Sequence, residues 1–432
     1  MAIYDEKHEK MPRLELRQLQ IERLQSTLNR VCRNVAFYRR MFEQHRIEPE
    51  RIKSIEALQQ VPFTTKEDLR RCYPYDMFAV PLRDVVRIQS TSGTTGKPIG
   101  IGYTENDLRH WTELMARVLS AADVTHHDCV QVAFQYSLFT GGFGFHQGAE
   151  RLKASVIPSS SAGTLRRQIE IMRDFKSTVL CCSPSYAVRL ATALEELGEH
   201  PEKLQLRCGL FGAEPWSENL RAQLEERLHL KAFDTYGLSE LMGPGVASEC
   251  QQHSGLHVNE DHFIVEVIDP ATGAPLRPGE KGELVFTTIT REAFPLVRYR
   301  TGDIASLDET PCGCGRTLAR ISRVCGRTDD MVFAQGIKFF PSEIEDALLN
   351  AEGVTPHFEI ELHTSHGEDI VEIRAELTPA LASADKQALL EKVSTEIETA
   401  IGLKAKVAFQ APGSIPVSEG KKVIRIIDQR RN

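Results

Sequence analysis

Between residues 130 and 236 the chain repeats one alternation, and this limits its fold more than any other feature. Short apolar runs at Val130–Phe134, Ala154–Pro158, Thr178–Ser183, Cys208–Phe211 and Ala232–Tyr236 are separated by helical stretches, among them Leu165–Phe175, Pro184–Leu197 and Ser217–Leu228. Apolar strands joined by helices are the pattern of a largely parallel sheet, so an α/β architecture is expected. Upstream, residues 13–47 read as helical, with Leu24, Leu28, Val31 and Val35 on one face. From His262 the texture changes to strands and turns, at Phe263–Ile268 and Gly282–Thr288. After Asp329 comes a smaller α+β block: a strand-like segment, a helix start at Pro341–Ile344, alternation at His357–Leu362 and Ile370–Leu377, a helix over Ala384–Ile401, then Val407–Phe409. The 432 residues exceed one usual domain. The reading is a large N-terminal domain over 1–328, of mixed and parallel sheets with helices plus a β-rich part at about 245–328. A small, mobile α+β C-terminal domain covers 329–432. No low-complexity tether separates them, so the junction is expected to be a tight hinge.

A composition of 41% hydrophobic and 26% charged residues is that of a soluble globular protein. A net charge of −8 argues against a general nucleic-acid binder. No apolar run approaches membrane-spanning length. The first ten residues are polar and lack a signal-peptide core, and the ten cysteines are scattered like free thiols. The expectation is a cytoplasmic protein with small-molecule partners, no nucleic acid and no membrane; a homodimer is left open.

The densest chemistry lies at residues 90–98, Ser-Thr-Ser-Gly-Thr-Thr-Gly-Lys-Pro. Glycines let backbone N–H groups approach an anion, hydroxyls donate, and the lysine adds charge, which suits phosphate. It is not a Walker A loop: Gly93 to Gly96 is too short and Pro98 follows the lysine. Asp84–Ile88 before it reads as a strand, and Thr104 after it as the N-cap of a helix. A surface turn of the same composition is the plainer reading of this loop alone.

Further groups follow in order. Gly212-Ala213-Glu214-Pro215 closes one apolar strand, and Asp234 to Glu240 closes the next. Ligands of open α/β sheets sit at carboxyl strand ends, so these two can hold a planar base between a backbone shelf and an aromatic ring. Arg298-Tyr-Arg-Thr-Gly-Asp303 places a carboxylate at a turn, able to accept from ribose hydroxyls. Each is bland singly; their order is not.

On these residues the chain resembles the adenylate-forming superfamily of acyl-CoA synthetases, adenylation domains and luciferases, and within it the phenylacetate–CoA ligases and related aryl-CoA ligases. The carriers are Ser92–Pro98, Leu138–Gly142, Gly212–Pro215, Tyr236–Pro244, Arg298–Asp303, Gly326–Asp330, Phe340–Glu345 and Ser418–Lys421. The resemblance runs from about residue 14 to the C-terminus. It implies a two-step ligase. ATP and an aromatic carboxylic acid, with phenylacetate or a related arylacetate as first choice, give an acyl-adenylate and pyrophosphate; coenzyme A then gives the thioester and AMP. The alternative is an adenylating enzyme that passes the acyl or adenylyl group to a carrier-protein thiol or another acceptor. A zinc-dependent binding module is a rival that leaves the phosphate loop unexplained.

The resemblance also implies roles. Thr91, Ser92, Gly93, Thr94, Thr95, Gly96 and Lys97 would hold the ATP phosphates, and Glu240 would hold Mg²⁺. Tyr236, with Gly237 beside it, would stack on adenine, Asp234 would accept from its amine, and Ala213, Glu214 and Pro215 would close the slot. Asp303 would take the ribose hydroxyls, assisted by Arg327. Lys421 would meet the charge developing during adenylation. The Arg at 425 stands one step later than usual after the glycine–lysine pair, so Lys422 remains a candidate. Gln335 stands where such ligases more often carry Arg. Asp329 matches the family's pivot. Tyr136, Phe139, Gly141 and Gly142, with Gly212 opposite, would line the acid pocket. Finally, Cys312 and Cys314 cannot complete a tetrahedral site alone. Cys250 and His257 are their expected partners in a structural zinc site like that of related ligases, with His253 the competing histidine.

Overall fold

The computed structural model describes residues 2–91, 98–365, 368–378, 381, 386–415 and 425–430. By its contacts the chain divides into two units, Met1–Ala213 with Arg227–Arg323, and Glu214–Glu226 with Val324–Asn432.

After the short α1 (Glu6–Glu9), the stretch expected as one helix is two, α2 (Arg13–Asn34) and α3 (Ala36–His45). Val35 lies between them in an extended conformation, φ −109° and ψ 109°, which breaks the helix and still buries its side chain with Leu24, Leu28 and Val31. A capping box of Thr65 and Asp68 starts α4 (Lys66–Arg71). The strand expected at Asp84–Ile88 begins later. Pro81 leads Leu82–Asp84 into a 3₁₀ turn, and β1 covers Arg87–Ser90, antiparallel to β2 (Gly100–Tyr103). Thr104 caps α5 (Glu105–Ala121) as expected, with Asp107 closing the box.

The alternating region forms β3 (Cys129–Val132), α6 (Gly141–Arg151), β4 (Ser155–Ile157), α7 (Leu165–Asp174), β5 (Val179–Cys182), α8 (Pro184–Glu196), β6 (Cys208–Gly212), α9 (Glu218–Leu228) and β7 (Lys231–Leu238). It continues into β8 (Gly243–Ser248), β9 (Leu256–Val258), β10 (Phe263–Ile268), β11 (Gly282–Thr288), β12 (Tyr299–Ala305), β13 (Leu307–Asp308) and β14 (Arg320–Ile321). Nine of these strands make one sheet in the order β13-β14-β9-β8-β7-β6-β5-β3-β4. The part from β4 to β7 is parallel, and β8, β9, β14 and β13 add on antiparallel. Strands β10, β11 and β12 pair antiparallel in the β-rich part. The expected fold class, parallel core with a β-rich extension, is therefore the observed one. β5 and β6 are buried at every position, as strands covered on both faces must be.

The second unit carries β15 (Gly326–Arg327), the hairpin β16 (Val332–Ala334) and β17 (Ile337–Phe339), then α10 (Pro341–Leu349). Its main sheet holds β18 (Val354–Ser365), β19 (Glu368–Leu377), β20 (Lys406–Gln410) and β21 (Ile426–Asp428), ordered β20-β19-β18-β21. Helix α11 (Gln387–Ile401) buries Val393, Ile397 and Ile401 in the same core as Ile360, Leu362 and Ile373. Helices and a sheet thus share one core in this smaller C-terminal part, the α+β class expected of it.

Candidate active site and metal centre

Residues 92–97 fall in sequence between β1 and β2. Ser92, Gly93, Thr94, Thr95, Gly96 and Lys97 are outside the described residues, as are Lys421 and Lys422. The flanks of the loop are well defined. Thr91 donates its N–H to the Ile99 carbonyl at 3.3 Å, and its hydroxyl accepts from the Ile99 N–H at 3.1 Å. Ser90 donates its N–H to the Leu138 carbonyl at 2.9 Å, and the Gln89 amide donates to the Phe139 carbonyl at 3.2 Å. The end of β1, which precedes the phosphate-type loop in sequence, therefore lies beside residues 138 and 139 of the 136–142 segment. That segment in turn meets the strand-end motif: the Thr140 and Ser239 hydroxyls are 3.0 Å apart. Three motifs far apart in sequence converge here through backbone and hydroxyl contacts.

Gly212 and Tyr236 close neighbouring parallel strands. A Cβ on Gly212 would stand 2.4 Å from the Thr235 carbonyl oxygen, so only glycine permits this approach. Ala213 follows in the left-handed region at φ 72° and is exposed, turning its peptide out of the sheet. Glu214 is half-buried and Pro215 exposed where the chain enters the second unit. The Asp234 N–H donates to the buried Glu249 carboxylate at 2.7 Å, and the Asp234 carboxylate faces Arg323 at 3.5 Å. Gly237 lies so close to the next strand that a Cβ would meet the Gly243 carbonyl.

Asp303 is not at a turn, as its Gly-Asp context suggests, but inside β12. Gly302 at φ 79° opens the strand there, opposite an irregular register on β11. The buried Asp303 carboxylate accepts the Tyr236 hydroxyl at 2.8 Å, while the Tyr236 ring stacks on Phe286 with centroids 6.0 Å apart. Glu240 is buried. The Tyr299 hydroxyl approaches its carboxylate at 3.5 Å and the Lys66 ammonium at 3.7 Å. No motif marks Lys66. Its place depends on Thr64, whose N–H donates to the Arg298 carbonyl and whose carbonyl accepts from the Arg300 N–H, both at 2.9 Å.

In the expected acid pocket, Gly141 sits under Phe139 and Phe134, and Gly142 against the Gln135 carbonyl and the Tyr136 ring. The Tyr136 hydroxyl lies 3.2 Å from His146 Nδ1, whose Nε2 faces Glu150 at 3.1 Å. Burial pushes the Tyr136 phenol up, so it stays a neutral donor and acceptor. Arg327 and Asp329 belong to the second unit, where the guanidinium donates to the Asp329 carboxylate at 2.8 Å. The Gln335 amide there donates to the Asp369 carbonyl at 2.7 Å.

The cysteines form a centre of their own. Cys250, His257, Cys312 and Cys314 are all buried, with their ligand atoms within 4.8 Å of one another. Cys250 and Cys312 sulfurs are 3.8 Å apart, and Cys314 Sγ is 3.4 Å from His257 Nε2. A tetrahedron of ~2.3 Å Zn–S bonds has edges of about 3.8 Å, so the donor set has the dimensions of a zinc site. His257 Nδ1 lies 3.2 Å from the Leu318 carbonyl, an outer contact that would fix the tautomer and leave Nε2 to a metal. The Cys250 thiol and His257 hold the Cys314 thiol well below its usual range, while Cys250 is pushed up in exchange. His253 is not in the cluster: it stacks on Phe233 at 4.9 Å and faces Glu249 at 3.5 Å.

The AMP-binding enzyme family matches residues 15–290, and the AMP-binding enzyme C-terminal domain matches residues 336–430. The phenylacetate-coenzyme A ligase of Thermus thermophilus is 42% identical over 99% of this chain and 100% of its own length. That of Escherichia coli K12 is 43% identical over 96% of this chain and 95% of its own. Among solved structures, 2-hydroxyisobutyryl-CoA ligase in the postadenylation state with 2-HIB-AMP superposes with a TM-score of 0.92 at 29% identity, covering 98% of this chain and 92% of that one.

Proposed function

The chain belongs to the AMP-binding enzyme family, among its phenylacetate–coenzyme A ligases, and from that premise we propose that it activates phenylacetate or a closely related arylacetate. It is an AMP-forming acid–thiol ligase. In the first step a carboxylate oxygen attacks the α-phosphorus of ATP and pyrophosphate leaves. In the second the coenzyme A thiolate attacks the acyl carbon and AMP leaves. The acid supplies the first nucleophile and coenzyme A the second, so no protein nucleophile is required.

The observation that carries this reading is the convergence of the phosphate-loop flank, the 136–142 segment and the 236–240 turn through Ser90–Leu138 and Thr140–Ser239. These contacts support a common site for the flank of the phosphate-type loop, the 136–142 segment and the strand end that carries Glu240. In the proposed assignment Thr91 and residues 92–97 orient the phosphates, and Ala213, Glu214, Pro215, Asp234, Tyr236 and Gly237 hold the base. Asp303, already an acceptor for Tyr236, takes a ribose hydroxyl, with Arg327 assisting. Mg²⁺, when bound, spreads the negative charge of the phosphates; Glu240 is the carboxylate proposed to hold it, and its few partners among the described residues fit that use. Gly141, Gly142 and Gly212, with Tyr136 and Phe139, are proposed to line the pocket for the acid. The Cys250, His257, Cys312 and Cys314 cluster is proposed as a closed, structural zinc site, because four protein ligands leave no open position. The test of the substrate is a panel of aryl acids assayed for ATP- and coenzyme A-dependent AMP release. Phenylacetate or another arylacetate is expected to give the highest kcat/KM; preference for a short aliphatic acid would contradict the aromatic slot.

Two half-reactions require different groups at one pocket, and Asp329 is the proposed pivot. Proline there fixes φ and removes an N–H. Asp329→Pro is expected to lower the adenylation and thioester-forming rates by very different factors. Asp329→Ala, which removes the ion pair with Arg327 but leaves φ and the N–H free, should leave both nearly unchanged, since partly exposed pairs contribute about 0–1 kcal/mol. Separate measurement of pyrophosphate release and single-turnover thioester formation decides this. Equal losses in the proline variant would mean simple destabilisation.

A further inference from the structure

We propose that Lys66 is the resident counter-ion of Glu240 and sets the affinity of that carboxylate for its divalent cation. The inference rests on the reading of Glu240 as the magnesium ligand and extends it to a residue outside every motif.

The argument begins with Glu240 itself. Its side chain is 5% exposed, and burying a carboxylate without partners is strongly unfavourable. An ionised carboxylate can accept at both oxygens, up to four times. Among the described residues, its hydrogen bonding is a single long contact, 3.5 Å from the Tyr299 hydroxyl. The Asp303 carboxylate, by contrast, accepts the Tyr236 hydroxyl at 2.8 Å. Among the described residues, Glu240 is therefore a buried carboxylate with little hydrogen bonding to balance its charge.

Lys66 supplies one without clasping it. Its ammonium stands 3.7 Å from Glu240 Oε1, beyond direct hydrogen-bond length, and its side chain is 43% exposed. The backbone beneath it is fixed. Thr64 bridges to Tyr299, its hydroxyl donates to the Val297 carbonyl at 2.7 Å, and the Tyr38 hydroxyl lies 3.0 Å away; the Thr65–Asp68 box then starts the helix. A fixed base with a long, flexible, water-reaching stem holds a mobile point charge. It neutralises Glu240 when no metal is bound and withdraws toward solvent when one binds. Lysine and divalent cation compete for one oxygen.

The test is binding of Mn²⁺ to the full-length protein, read by electron paramagnetic resonance in the presence of saturating α,β-methylene-ATP. Glu240→Gln is the control on the underlying reading and should weaken Mn²⁺ binding at least tenfold. Lys66→Met removes the competitor and should tighten Mn²⁺ binding roughly three- to fivefold, in line with a half-exposed ion pair. Lys66→Arg keeps a cation at the oxygen and should stay within about twofold of the parent. Unchanged Mn²⁺ affinity in Glu240→Gln would overturn the magnesium assignment. Weakened binding in Glu240→Gln with unchanged or weaker binding in Lys66→Met would overturn the role of Lys66 alone.

Discussion

Alanine at Lys421 is expected to slow adenylation about 10²–10³-fold, the usual loss when one preorganised donor to a developing charge is removed. Formation of the thioester from a supplied acyl-adenylate should be nearly unaffected. The asymmetry follows from when the charge appears. In the first transition state negative charge builds between the carboxylate and the α-phosphate; in the second it builds on a different atom. A residue that serves only one transition state changes only that step. The lysine is one of two neighbours, and Lys422→Ala is the paired measurement. Loss of adenylation in Lys422→Ala with normal rates in Lys421→Ala would transfer the role to Lys422.

The second large effect concerns the metal. Purified protein is expected to contain about one zinc per chain, one for each four-ligand site. Cys312→Ser should release it and lower Tm by roughly 10 °C or more, at ~2–4 °C per kcal/mol for a unit of this size. Structural zinc contributes folding free energy on the order of 10 kcal/mol in small zinc modules. The first segment to loosen should be residues 2–11. Arg316, two residues past Cys314, pairs with Glu9 at 2.5 Å with both side chains buried, and also donates to the Ala2 carbonyl at 3.0 Å. Thr317 donates its N–H to the Glu9 carbonyl and its hydroxyl to the Met11 carbonyl, at 3.0 and 2.7 Å. The cysteine loop thus clasps the N-terminal segment. Hydrogen exchange after chelation should show deprotection of residues 2–11 before the sheet core. Protein free of zinc when purified from zinc-replete cells would remove the metal from this account.

Much of the architecture was legible because it follows from local rules. Strands β3 to β7 announced themselves as apolar runs between helices, and Thr104 and Ser183 stand where their hydroxyls cap the next helix. Where the reading failed, a local pattern had two physical outcomes. Val35 continues an apolar helical face, yet an extended residue between two helices buries the same side chain. Gly302-Asp303 has the composition of a turn, yet a positive-φ glycine serves equally well to open a strand. His253 and His257 are equivalent in sequence, and the ring of Phe233 with the Glu249 carboxylate draws one of them away. Lys66 was invisible for another reason. Its relation to Glu240 is created by the pairing of Thr64 with Tyr299 across the chain, and no spacing rule encodes that.

The central claim is that this chain joins an arylacetate to coenzyme A through an adenylate. The most direct measurement supplies phenylacetate, ATP, Mg²⁺ and coenzyme A, and follows AMP, pyrophosphate and phenylacetyl-CoA together by chromatography and mass spectrometry. The predicted result is equimolar formation of all three, with AMP and thioester absent when the acid is omitted. Pyrophosphate and bound acyl-adenylate without thioester at saturating coenzyme A would contradict it and point to another acceptor.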